Sequence, residues 1–379
     1  MELAGGMIMH VITNYAANAG AETMLSRLLR ATDDRGFVVS LIDVSDRNRL
    51  LAGDGVQVEQ LGIRSPGRAV TAVVDLAQLI ARENPRAILC WMYHAMVAGT
   101  LAQRLSRKSV PVFWNVRQSA EDLAALSAST RVALAISRRL SHLPAGIIYN
   151  SSRSLDLHRR LGFCHRNVEV IPNGFDAVAD PPPISRTRQV LGIAARFHPQ
   201  KDYETFFQAA ALLSARRPDV RFTAVGAGLH QDNAVVREML VASGLPAASI
   251  KLQGEMDDMD AFYRSIDVLV LSSRTEGFPN VVAEAMSYGK PVVTTDVGDA
   301  AAIVGETGVV VRPGDAQALA AGMSRMLDLT SADYAALSRA ARQRIGEHFS
   351  LTQVAGRYHR FLECSQAAAQ GAPTSRVFG

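Results

Sequence analysis

A doubly wound α/β protein, with two domains each built on a parallel sheet, is the fold class this sequence predicts. Three observations predict it. Apolar runs of about five to eight residues alternate with amphipathic stretches of about ten or more along nearly the whole chain. The alternation breaks once, at a segment with three consecutive prolines. A chain of 379 residues also exceeds what one ordinary core organises. Hydrophobic residues at 48% and charged residues at 20% describe a globular chain and exclude disorder.

In the first half the expected strands are Ile8–Thr13, Val38–Val44, Val56–Leu61, Ala87–Met92, Val110–Asn115, Gly146–Asn150 and Val168–Ile171. Helical periodicity lies between them at Ala21–Leu29, Ala69–Ile80, Ala95–Leu105, Leu123–Leu140 and Ser154–Leu161. Short, continuously apolar strands separated by helices indicate a parallel sheet covered on both faces. The chain then reads NGFDAVADPPPISRTR from Asn173 to Arg188, which has no periodicity and reads as a linker. Strands resume at Val190–Ala194, Val220–Val225, Ile250–Leu252, Val268–Leu271, Pro291–Thr295 and Gly308–Val311, followed by a helix-rich tail from Ala316 to Ala369. The expected domains are 1–173 and 189–379, joined by a linker at 174–188, with the last helix allowed to cross back to the N-terminal domain. Two such Rossmann-like domains would face a central cleft where the strand C-termini meet.

The charge is unevenly divided. Through Ala179 there are 20 Lys+Arg against 15 Asp+Glu, and from Asp180 onward 20 against 21, so the whole surplus of +4 arises in the N-terminal half. The lack of any RNP, KH, zinc-finger or helix-turn-helix signature argues against nucleic acid, and no such partner is expected. Contact with an anionic membrane face stays open, and Arg138, Arg139 and His142 near the end of the Leu123–Leu140 helix suit it. No apolar run reaches the length of a spanning helix, and the start shows no basic, apolar leader pattern. Three scattered cysteines, Cys90, Cys164 and Cys364, suit a reducing compartment. The expected location is cytoplasmic, with peripheral contact at the cytoplasmic membrane face.

The densest chemical signal is SSRTEGFPNVVAEAMSYGKPVV, Ser272–Val293. A strand ends at Leu271, a loop carries Glu276, Gly277, Phe278 and Pro279, and Asn280 is placed to cap a short helix that stops at Gly289. Glycine lets a ligand approach the backbone, and unpaired N–H groups at a helix start suit phosphate oxygens. Glu276 and Glu284 can then address two hydroxyl-bearing parts of one ligand, a sugar and a ribose. Arg196 and Lys201 stand in the loop after another strand, where a guanidinium fork and a mobile ammonium can neutralise a leaving diphosphate. Lysines number only four, so Lys201 stands out from the surface background.

These motifs resemble the signature of glycosyltransferase family 4, retaining enzymes of the GT-B fold that use nucleotide-sugar donors. Gly20-Ala21-Glu22, the VIPNGFD run Val170–Asp176 and ARFHPQKD, Ala195–Asp202, occur in the matching order. The resemblance implies that Glu276 contacts the donor sugar, Glu284 holds the ribose, and Arg196 and Lys201 bind the donor diphosphate. It carries Gly20, Gly226, Gly228, Gly277, Phe278, Pro279 and Asn280 over as donor-binding candidates. Gly226-Ala227-Gly228 by itself opens like a dinucleotide fingerprint, but Gln231 replaces the next glycine, which argues against nicotinamide.

His94 ends the segment CWMYH at the C-terminal edge of an expected strand, and the resemblance places such a histidine near the donor sugar. Arg117, at the end of another strand, is an acceptor-side candidate that suits a phosphorylated group. Asp258-Met259-Asp260 has the DxD form that binds a divalent metal in a different transferase fold, but acids before a helix favour its positive end, so no metal is expected. No cofactor is expected either. The resemblance implies transfer of a hexosyl or N-acetylhexosaminyl group from a UDP- or, less favoured, GDP-sugar to a polysaccharide or lipid-linked glycan of the bacterial type. An epimerase, a phosphorylase or a non-catalytic nucleotide-sugar binder are the alternatives.

Overall fold

Strand pairing follows the buried apolar runs. The computed structural model describes residues 6–17, 19–32, 36–118, 123, 126–183 and 188–369. Residues 124 and 125 of one expected helix, and 184–187 of the expected linker, lie outside the described residues. The chain divides into two compact units, Met1–Gly174 with Leu351–Gly379, and Phe175–Ser350.

The first unit runs β1 (Ile8–Ile12), α1 (Gly20–Ala31), β2 (Gly36–Ser40), α2 (Asp46–Ala52), β3 (Gln57–Gln60), α3 (Pro66–Glu83) and β4 (Ala87–Trp91). It continues with α4 (Met92–Ser106), β5 (Val112–Val116), α5 (Ala128–Leu140), β6 (Gly146–Tyr149), α6 (Ser152–Arg160) and β7 (Val168–Val170). The strands form one parallel sheet in the order β3-β2-β1-β4-β5-β6-β7. Every residue of β1, β2, β4 and β5 is buried, as a sheet covered on both faces requires. Met9 and Val11 join the apolar cluster that includes residues of α3, α4 and α5, while Ile8 and Ile12 join the opposite one with α1.

The second unit runs β8 (Val190–Ala194), α7 (Tyr203–Arg216), β9 (Arg221–Val225), α8 (Ala234–Ser243), β10 (Ile250–Leu252), α9 (Met259–Ser265) and β11 (Val268–Leu271). Then follow α10 (Asn280–Ser287), β12 (Val292–Thr295), α11 (Ala300–Val304), β13 (Gly308–Val311), α12 (Ala316–Leu327) and α13 (Ser331–His348). Its parallel sheet has the order β10-β9-β8-β11-β12-β13. In both sheets the order reverses once, between β1 and β4 and between β8 and β11. At such a point neighbouring loops leave the strand C-termini in opposite directions and open a crevice for a ligand.

The last helix, α14 (Leu351–Ala369), belongs to the first unit. Its Leu351, Val354, Ala355, Tyr358, Phe361 and Leu362 recur at helical spacing and are buried in the same cluster as Trp91 and Phe113. Gly146 makes room for this packing, because a Cβ there would meet the Phe361 ring at 2.6 Å. Three expectations change. Residues 41–44 leave the sheet after Ser40, and the helix expected from Leu123 begins at Ala128, capped by Ser127. A helix absent from the sequence reading, α2, forms over DRNRLLA with Ser45 accepting from the Asn48 amide. Phe361→Ala removes a buried ring in edge contact with Phe113 (centroids 6.0 Å apart). It should cost the first unit about 3–5 kcal/mol in denaturant unfolding. A loss under about 1 kcal/mol would show that α14 does not complete this core.

Candidate active site

The second unit's switch point collects the strongest chemical residues. The loop after β8 carries Arg196 and, in a 3₁₀ turn Pro199–Lys201, Lys201; the loop after β11 carries Glu276. Lys201 Nζ donates to Glu276 Oε1 at 2.6 Å, and Ser273 Oγ donates to the same oxygen at 2.7 Å. Both side chains of the ion pair are largely buried, with 20% and 11% of their surfaces exposed. Arg196, in the same loop as Lys201, is exposed.

Local chemistry explains why the two loops meet. Ser272 Oγ donates to the Lys201 carbonyl at 2.8 Å, and the Arg274 amide donates to the Gln200 carbonyl at 2.8 Å. Gln200 Nε2 returns two bonds to Thr275, and Arg274 pairs with Asp202 at 3.1 Å. Asp202, at φ 50°, then caps α7 by accepting from Thr205. A third segment packs against the Glu276 loop. Gly298, at φ 52°, brings its backbone so near that a Cβ would lie 2.3 Å from the Gly277 carbonyl oxygen. The Asp299 amide donates to that same carbonyl, and Thr295 Oγ1 donates to the Ser273 carbonyl.

Gly226, at φ 146°, lies where a Cβ would stand 2.0 Å from the Ala195 carbonyl oxygen, and Gly228 lies against Phe197. These two glycines therefore let the turn after β9 press on the Arg196 loop. His198, within that loop, accepts from the Gln200 amide, and its pKa is lowered by burial and by the nearby Arg196 and Lys201 charges. Glu284 projects from α10 and accepts from the Tyr263 hydroxyl at 2.6 Å, while Tyr263 stacks on Tyr288 at 5.2 Å.

Several expected site residues stand differently from the sequence reading. Asn280 is the first residue of α10 rather than its cap; Pro279 holds the cap position and makes no side-chain bond. Phe278 is 7% exposed and packs between Phe175 and Phe349, so its ring belongs to the core and only its backbone belongs to the loop. The DxD acids, by contrast, stand before a helix as the sequence reading has them: Asp258 caps α9, and Asp260 is bound by Arg264 and Tyr288.

His94, Gly20 and Arg117 belong to the first unit. His94 lies not at a strand end but in the first turn of α4, because β4 passes straight into the helix through Met92 at φ 74°. Such backbone in a non-glycine residue is strained and gathers at functional sites. His94 is half-buried, and burial lowers its pKa below the ordinary value. Gly20 opens α1 after the loop that follows β1. Both thus stand at the first sheet's own switch point. Ser273, Tyr263 and Gly298 were missed. Ser273 was legible as a serine three residues before Glu276, whereas the other two act only through tertiary contact.

Two parallel-sheet units, with a cation–carboxylate loop pair at the switch point of the second, define a protein of the GT-B class. Residues 18–178 match the family model described as Glycosyltransferase Family 4, and residues 188–329 that described as Glycosyl transferases group 1. By these two matches, neither of which spans half of its length, the chain is similar to glycosyltransferases of the family-4 type. It is 29% identical over 205 residues to the lipopolysaccharide core biosynthesis mannosyltransferase LpsB of Rhizobium meliloti (strain 1021), which covers 49% of this chain and 58% of that protein. It is 27% identical over 287 residues to the 2-deoxystreptamine glucosyltransferase of Streptomyces kanamyceticus, covering 69% and 72%. The chain spans about half the length of the first curated relatives it matches. Among solved structures, HepE of Anabaena in complex with UDP and glucose superposes with a TM-score of 0.79 at 22% identity, covering 94% of this chain and 100% of that one, which shows the fold.

Contact geometry at Gly298 is open to a direct test. Gly298→Ala should destabilise the second unit by at least about 1 kcal/mol more than Gly314→Ala. Both glycines have positive φ, but a Cβ at Gly314 meets nothing within 4 Å. Equal losses in thermal unfolding would mean that the Glu276 loop is not held by this contact.

Proposed function

We propose that the chain is a retaining, metal-independent glycosyltransferase that moves a sugar from a UDP-sugar to a growing polysaccharide or lipid-linked glycan. The observation that carries this reading is the Lys201–Glu276–Ser273 cluster at the switch point of the second sheet, with Arg196 exposed in the same loop as Lys201. A leaving diphosphate needs positive charge, and a carboxylate next to that charge suits the hydroxyls of the departing sugar. UDP rather than GDP is favoured because structures of the similar HepE hold UDP or UDP-glucose. The glycan acceptor is favoured by relatives named for lipopolysaccharide core and capsular polysaccharide biosynthesis.

In this reading the donor diphosphate draws Lys201 away from Glu276, and Arg196 adds a second cation. Glu276, still held by Ser273, turns its capacity to the sugar hydroxyls. Glu284, oriented by Tyr263, takes the ribose. The acceptor oxygen attacks the anomeric carbon on the face that the phosphate leaves. The anomeric carbon–oxygen bond breaks, the new bond forms on the same face, and the departing phosphate oxygen takes the acceptor proton. No protein nucleophile is needed. His94 is the first unit's candidate sugar-binding residue. Peripheral attachment to the cytoplasmic membrane face is supported by α5, whose Arg131, Arg138 and Arg139 are exposed beside exposed Val132 and Ile136.

Lys201→Ala and Arg196→Ala should each lose about 2–4 kcal/mol of transition-state stabilisation in kcat/KM with UDP-sugar donors. Near-wild-type turnover in both would remove the assignment. Calorimetry separates the two glutamates. Glu284→Ala should weaken UDP and UDP-sugar alike, because the ribose contact is present throughout, whereas Glu276→Gln should chiefly lower kcat without weakening UDP. Exchanged or identical profiles would contradict these roles. EDTA should leave turnover intact; abolition by EDTA with rescue by magnesium or manganese would return Asp258 and Asp260 to the site.

A further inference from the structure

The first unit contains a buried cation that no charge on the described residues balances. Arg117 follows β5 at the C-terminal edge of the sheet and is 9% exposed. Its guanidinium lies 5.1 Å over the Trp91 indole, which in turn stacks on Tyr358 at 6.4 Å. Nη1 donates to Asn173 Oδ1 at 2.5 Å. Nε and Nη2 are both closed to solvent and have no hydrogen-bond partner. Among the described residues no carboxylate pairs with it, and burial pulls its pKa below the ordinary guanidinium value. A buried charge left in this state is costly unless something supplies the opposite charge.

The two unpartnered nitrogens identify what that something is. Nε and Nη2 form one edge of the guanidinium, with N–H bonds that run parallel, the geometry that takes two oxygens of one oxyanion. Other groups at the same sheet edge are also unsatisfied. Asn150 Oδ1, in the residue after β6, and Thr13 Oγ1, in the residue after β1, are buried without partners. The Asn150 amide donates to the Val116 carbonyl, so Asn150 and Arg117 leave adjacent strands side by side. An edge with a forked cation and orphaned hydrogen-bond acceptors suits a ligand that combines an oxyanion with hydroxyls.

We propose that Arg117 anchors an oxyanion-bearing acceptor, a sugar phosphate or a uronic acid, at the C-terminal edge of the first sheet. This deepens the transferase reading and rests on it. The oxyanion enters the fork through a local opening of the edge, since both nitrogens are covered in this state. Trp91 and Asn173 hold the guanidinium plane while the anion binds. Arg117 is in this account a specificity-determining residue for the acceptor, and nothing in the donor chemistry of the second unit depends on it.

The test uses the full chain saturated with UDP, so that the donor site is filled, and titrates inorganic phosphate and glucuronate into wild type, Arg117→Met and Arg117→Lys. Wild type should bind at least one anion, with phosphate alone indicating a phosphorylated acceptor and glucuronate alone a uronic acid. Arg117→Met should lose at least about tenfold in that affinity, and Arg117→Lys should lose affinity while keeping the charge. In anion-free buffer Arg117→Met should unfold no earlier than wild type, because it removes an uncompensated charge. Absence of binding to wild type, retention of binding in Arg117→Met, or earlier unfolding of Arg117→Met without anion would overturn the proposal. UDP binding is read in the same titrations: if wild type fails to bind UDP, the transferase reading fails, whereas normal UDP binding without an anion response removes only the acceptor anchor.

Discussion

Lys201 and Glu276 lie 2.6 Å apart on loops that follow different strands, and much of the second unit's local architecture serves to keep them there. The strand order places β8 beside β11, so the loops that leave them share one edge. Ser272, Gln200 and Arg274 then zip the loops together through main-chain and side-chain bonds. Glycines at 226 and 298 remove the Cβ atoms that would push neighbouring segments off these loops. A part-buried ion pair of this kind contributes little net stability once desolvation is counted. Its value lies in holding a cation and a carboxylate ready at a position where a ligand can exchange with either.

The two units handle charge in opposite ways. In the second, the buried carboxylate of Glu276 accepts from an ammonium and a hydroxyl, so the pair is satisfied while no ligand is present. In the first, Arg117 keeps two donors without acceptors. Satisfied groups must be outcompeted by a ligand, whereas unsatisfied groups gain fully from one. Under the proposed function, the donor would be held by exchange and the acceptor by charge compensation.

Much of the fold was legible because buried parallel strands are written as continuous apolar runs. Val190–Ala194, Val268–Leu271 and Gly308–Val311 stand with the limits that their β-branched runs suggest. α2 was not legible, since DRNRLLA offers barely one apolar turn and forms through the Ser45 cap and the burial of Asn48, which donates to the Tyr15 and Ala17 carbonyls. At the site, spacing alone placed Glu276, Lys201 and Arg196 in loops after strands, but not their contact, because that depends on which strands are neighbours. Phe278 shows a related limit: a residue inside a functional motif can fill the core while its backbone shapes the loop. Tyr263 and Gly298 act on Glu284 and Gly277 from 21 residues away in each case, and no local pattern marks them.

In the proposed reading, Glu276 holds Lys201 until a nucleotide diphosphate takes it over. A double-mutant cycle on UDP affinity tests it most directly, using calorimetry on wild type, Glu276→Gln, Lys201→Ala and the double variant. Releasing Lys201 from its carboxylate should tighten UDP by about fivefold in Glu276→Gln, and this gain should vanish when Lys201 is alanine. Weaker UDP binding in Glu276→Gln, or the same gain without Lys201, would contradict the account.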